Sequence, residues 1–153
     1  MEGIILKYLR GTKIEQFEIA EDFYEAYRRC FKANQNNEIV AIPAFVNGFF
    51  ACEIFLKYLT NNRIKSHDLF ELYDALSDKE KDILKAIKFP KEYSNITFEN
   101  FLKSIQYGFE FWRYIYEDEN KEFEEKLPFL YSEHFLNTYL PVIYDFAKEK
   151  YNN

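Results

Sequence analysis

Glu53 and Lys57 stand four residues apart in an otherwise apolar run, IPAFVNGFFACEIFLKYL, which also holds Asn47. In a helix that spacing puts carboxylate and ammonium on one face, acid first, the favourable order for an ion pair. Burying such groups unpaired costs roughly 1–3 kcal/mol each, and more when they are charged. Each therefore needs a partner or a task. Two uses are open to Glu53: pairing with Lys57 along the helix, or orienting a basic group from a neighbouring helix.

Two basic groups qualify. His67 opens the stretch HDLFELYDAL, where an imidazole at a helix entrance can brace the loop or exchange protons near neutral pH. Asp68 follows it directly. Arg113 sits inside FEFWRYIYE, between Trp112 and Tyr114, on a face shared with Gln106, Glu110 and Glu117. The chain has five arginines against fifteen lysines, so an arginine on an aromatic helix calls for a reason. A planar guanidinium can clamp Glu53 or Glu117, or hold an external carboxylate or phosphate while stacking on an aromatic ring. The reading adopted here is a polar seam of Glu53, Lys57, His67, Arg113 and Glu117, with Asn47 and Asp68 as further binding candidates. His67 and Arg113 are its catalytic candidates. For His134, in YSEHFL, the sequence alone makes no partner obvious.

These residues need helices to carry them. At 153 residues the chain suits one domain with a full core. Phe17, Ala20, Tyr24, Tyr27 and Phe31 recur at helical spacing and predict a helix over 14–33. The run from 39 to 59 is apolar on most sides, which predicts a central buried helix, with Pro43 tolerated in its first turn. Leu69, Leu72, Tyr73 and Leu76 give a short helix. Ser77 with Glu80 forms a capping-box pattern for a helix over 78–88. Thr97 caps a long helix predicted over 98–118, buried through Phe98, Phe101, Ile105, Phe109, Trp112 and Tyr116. After the acidic EDENKEFEE comes a last helix over 128–150, kinked at Pro141. The expectation is a single-domain, all-α bundle of about five main helices over residues 1–153.

Composition narrows the function. A net charge of −6 argues against a surface that binds nucleic acid non-specifically. The 17 Phe and 13 Tyr lie mostly at core spacing, so they read as packing, not as base-stacking platforms. Cys30 and Cys52 fall on apolar stripes and read as reduced thiols, which suits the cytoplasm. No apolar stretch is read as long enough to span a membrane, and MEGIILKYLRGTK lacks a signal peptide's apolar region. No zinc-ligand spacing, phosphate-cradling glycine loop or nucleophile-elbow serine occurs, and no cofactor is expected.

Taken together, ACEIFLKYL, HDLFELYDAL and FEFWRYIYE resemble the HEPN superfamily of α-helical domains, over about residues 39–117. The resemblance implies a four- or five-helix bundle that usually dimerises. Many members are metal-independent ribonucleases of defence or toxin–antitoxin systems, and others partner nucleotidyltransferases. The ribonucleases carry an arginine, about four to six arbitrary residues and then a histidine. At that distance from His67 this chain has Thr60, Asn61 and Asn62; from His134 it has Leu127, Pro128 and Phe129. Arg63 stands too close to His67. The resemblance thus implies a cytoplasmic homodimer with two functional readings. One is a regulatory module that binds a protein partner, such as a nucleotidyltransferase or antitoxin, or a nucleotide or RNA, away from the membrane. The other is a divergent metal-independent ribonuclease built on His67 with Arg113 or Arg63. A plain helical scaffold is the third alternative.

Overall fold

The computed structural model describes residues 15–32, 41–91, 95–115 and 128–153, the Pro128 side chain aside. Among them every regular element is a helix and none is a strand. The helices are α1 (Gln16–Lys32), α2 (Ala41–Leu59), α3 (Leu69–Asp74), α4 (Asp78–Lys85), α5 (Phe98–Ser104), α6 (Gly108–Arg113), α7 (Pro128–Thr138) and α8 (Leu140–Asn152). The all-α bundle expected from periodicity is what the chain forms.

α2 is the axis, because its apolar residues point in nearly every direction. Phe45, Phe49, Ala51, Cys52 and Phe55 are all fully enclosed. Phe50 meets Phe23 of α1 at 4.6 Å and stacks on Phe109 of α6 at 4.7 Å. Phe45 packs on Trp112, Phe49 stacks on Phe135 of α7, and Phe55 meets Tyr144 of α8. Such aromatic pairs contribute about 0.5–1.5 kcal/mol each beyond their buried area. By length and composition α2 is also apolar enough to cross a membrane, which corrects the expectation that no stretch reaches that length. Half of that window is buried inside the bundle, and Glu53 lies within it.

The long helix expected over 98–118 is broken. α5 ends at Ser104, Ile105 to Tyr107 form a turn, and α6 starts at Gly108. A Cβ on Gly108 would lie 2.7 Å from the Phe49 ring, so only glycine lets α6 come this close to α2. Tyr116 and Glu117 lie outside the described residues. The last helix is likewise divided, at Tyr139. Pro141 stands in the first turn of α8, where its missing N–H costs least. The Ser77–Glu80 capping box and the Thr97 cap form as expected. Cys30 and Cys52 are free thiols, half-buried and buried respectively.

Candidate functional site

Glu53 is the one acidic residue buried in the core among the described residues, 2% exposed at the centre of α2. Its Oε1 accepts from Lys57 Nζ at 2.7 Å, the ion pair that the four-residue spacing implied. The same oxygen lies 2.7 Å from His67 Nδ1. Glu53 thus makes both of the contacts read from the sequence, one within its helix and one to the entrance of another. The second oxygen, Oε2, is buried without a hydrogen-bond partner. Exposure differs sharply along the cluster: the Glu53 side chain is 3% exposed, Lys57 20% and His67 62%.

The backbone that delivers His67 is fixed at three points. First, α2 ends in a Schellman motif: Asn61 N–H donates to Tyr58 O and Asn62 N–H to Lys57 O, with Asn61 left-handed at φ 53°. Second, Arg63 braces the following loop, donating from Nε to Thr60 O at 3.0 Å and from a terminal nitrogen to Ala75 O at 3.4 Å. Third, Asp68 caps α3. Its Oδ1 accepts from Phe70 N at 2.8 Å and Glu71 N at 3.4 Å, while Leu69 N donates to Gln106 O at 3.0 Å. That last bond ties the entrance of α3 to the α5–α6 turn, so the His67 helix does lie beside the segment read as one long helix.

No protein-family model, curated protein or solved structure matches the chain.

Not every expected member joins the cluster. Arg113 is exposed, and its guanidinium carbon lies 5.6 Å from the Phe109 ring centroid and 5.1 Å from that of Tyr114. It stacks on Phe109 and Tyr114, while among the described residues the charged contacts to Glu53 come from Lys57 and His67. The seam containing Arg113 is therefore corrected to Glu53, Lys57 and His67. Asn47 is half-buried on α2, six residues before Glu53. At about 100° per residue it faces away from Glu53, and no hydrogen bond joins the two among the described residues. Asp68 is adjacent to the cluster, and its carboxylate caps α3 through Oδ1 and also bonds the Tyr107 hydroxyl. Glu117 lies outside the described residues. His134 is half-buried among Phe89, Phe101 and Tyr139, and burial holds its ring below the usual imidazole range.

Tyr107 was missed in the sequence. It is 52% exposed in the α5–α6 turn, next to the Gln106 carbonyl that binds α3. The negative charge of Asp68 pushes its hydroxyl above the usual tyrosine range, with Glu71 and Glu110 adding to the effect. The signal that could have found it is Gly108, which opens α6 directly after Tyr107 and leaves that residue in the turn between two helices.

Chemically, the arrangement offers one proton-exchanging group. With Glu53 ionised, Nδ1 of a neutral His67 carries the proton and donates it to Oε1, which leaves the lone pair on Nε2. A buried carboxylate holding an exposed imidazole in one tautomer is how protein sites prepare a base or a hydrogen-bond acceptor.

Proposed function

We propose that this chain is a HEPN-like helical module, homodimeric and cytoplasmic, that acts by engaging a protein partner in a bacterial defence, toxin–antitoxin or stress setting. His67 is the centre of its contact surface. The observation that carries this reading is the 2.7 Å contact between buried Glu53 and exposed His67. A structural lock needs no exposed ring, whereas a recognition residue does. Charge supports a protein partner over an RNA backbone: Asp68, Glu71 and Glu110 surround Tyr107, and Arg63 is committed to loop carbonyls. A nucleotidyltransferase or antitoxin is the class of partner that the resemblance suggests.

Photo-crosslinking tests this. With p-benzoylphenylalanine in place of Tyr107, in the cells the protein comes from, irradiation is expected to give a discrete protein adduct that disappears with His67→Ala. An adduct indifferent to His67, or none, argues against the reading.

The second reading, a metal-independent ribonuclease, is favoured by the same Glu53–His67 pair. An outward Nε2 lone pair suits a general base for a ribose hydroxyl. Among the described residues, the two cations first read beside His67 are committed, Lys57 to Glu53 and Arg113 to the Phe109 and Tyr114 rings, which weighs against stabilising a phosphate there.

A further inference from the structure

The ends of three helices meet around a polar cleft away from the Glu53 cluster. Gln16 opens α1, Tyr58 stands in the last turn of α2 with the left-handed Asn61 and Asn62 just beyond it, and Lys150 stands in the last turn of α8. With Glu15 and Ile19 these residues line a space of about 470 Å3, within the size range of small-ligand sites.

Lys150 is the cation of this cleft, and among the described residues no carboxylate forms an ion pair with it. Its Nζ donates to Tyr58 O at 2.7 Å and to Asn61 Oδ1 at 2.6 Å, and lies 4.6 Å from the centroid of the Tyr58 ring. All three are neutral groups. Burial holds the ammonium below the usual lysine range, with the charge of Glu80 acting against that. The bond to Tyr58 O is accounted for as a cation capping the carboxyl end of α2. The remaining donors are not. An ammonium carries three N–H groups, so one is left over, and the Asn61 amide nitrogen keeps both of its own among the described residues. Gln16 and Asn62 bond each other reciprocally at 2.8 and 2.9 Å, which leaves one N–H and one lone pair on each amide.

We propose that this cleft receives the C-terminal residue of a peptide: its carboxylate on Lys150 and Asn61, its backbone amide on the Gln16–Asn62 pair, and an apolar side chain against Ile19 and the Tyr58 ring. One ammonium matches one negative charge, and Glu15, which also lines the cleft, opposes a second, so a carboxylate fits better than a phosphate dianion. Ile19 is 37% exposed and offers apolar surface that a bare ion would not use. The site is separate from the His67 surface and stands whether or not the partner reading of His67 holds.

The test is NMR of the 15N-labelled full chain, following the side-chain amides of Gln16, Asn61 and Asn62 as N-acetyl-leucine is added. Acetate supplies the carboxylate alone, and N-acetyl-leucine amide supplies the rest without the charge. N-acetyl-leucine should shift all three side chains, and both analogues should bind at least about tenfold more weakly. Lys150→Met should abolish the response and Lys150→Arg, which keeps the charge, should retain it. Asn61→Gly guards against a folding defect: glycine takes the left-handed backbone freely, so the turn survives while the donors are lost, and the shifts at Gln16 and Asn62 should weaken. No shift with N-acetyl-leucine, or shifts indifferent to both Lys150→Met and Asn61→Gly, would overturn the site. An equal response to acetate or inorganic phosphate, or tighter binding of free leucine, would overturn the peptide C-terminus as its ligand.

Discussion

Glu53 Oε1 and His67 Nδ1 lie 2.7 Å apart, joining the centre of the bundle to its surface. The carboxylate is enclosed and the imidazole is mostly open, so the two ends of this one contact carry different energetic loads. The contrast separates a site from a lock.

Glu53→Ala should cost about 2–3 kcal/mol, because it leaves the Lys57 ammonium partly buried without its counter-charge. His67→Ala should cost less than about 1 kcal/mol, since an exposed partner returns to water readily. Urea unfolding of both variants measures the difference. Equal losses would mark the cluster as a structural lock.

Gly108→Ala should destabilise by about 1–3 kcal/mol, because the new methyl meets the Phe49 ring, which is fully buried and stacked on Phe135. Gly48→Ala should cost less. There the nearest atom is the end of the Leu136 side chain at 2.9 Å, and a helix interior gains about 1 kcal/mol from alanine over glycine. Thermal unfolding of the pair checks the ordering.

Asp68→Ala should lose about 1 kcal/mol and speed amide exchange at Phe70 and Glu71, the two donors it caps. Asp68→Asn keeps an acceptor and should retain most of the protection. Ser77→Ala, which removes the capping box of α4, should cost a similar amount without touching exchange in α3.

Alkaline pH should unfold the protein. Burial pushes the Tyr139 and Tyr144 hydroxyls up to about 12, and that of Tyr27 higher still. In the unfolded chain they ionise near 10. Between those values the unfolded state has released protons that the native state retains, so stability is full below about pH 10 and falls as pH rises through 12. His134 acts at the other end. Its depressed ring leaves stability intact above the unfolded histidine range and erodes it as pH falls below about 6.5. Urea midpoints across pH, with phenolate absorbance followed in parallel, test both limbs.

What the sequence revealed depended on whether a signal was local. Glu53 and Lys57 share one helix, so their pairing follows from spacing, and the caps at Ser77 and Thr97 follow from adjacent residues. The Glu53–His67 contact was legible as one of two options, because a polar residue in an apolar helix demands a partner. The break between α5 and α6 was not legible. It depends on Leu69 N–H reaching Gln106 O from a distant helix and on Phe49 filling the space beside Gly108. Carrying a single helical period through that break joined Arg113 to the Glu53 seam, whereas it is exposed and stacks on Phe109 and Tyr114, and left Tyr107, in the turn, without notice.

The most direct test is cleavage of a labelled structured RNA in EDTA by the purified protein, beside folded His67→Ala. A partner-binding module predicts no His67-dependent cutting. Metal-free cutting by wild type that disappears in His67→Ala would contradict it and establish the ribonuclease.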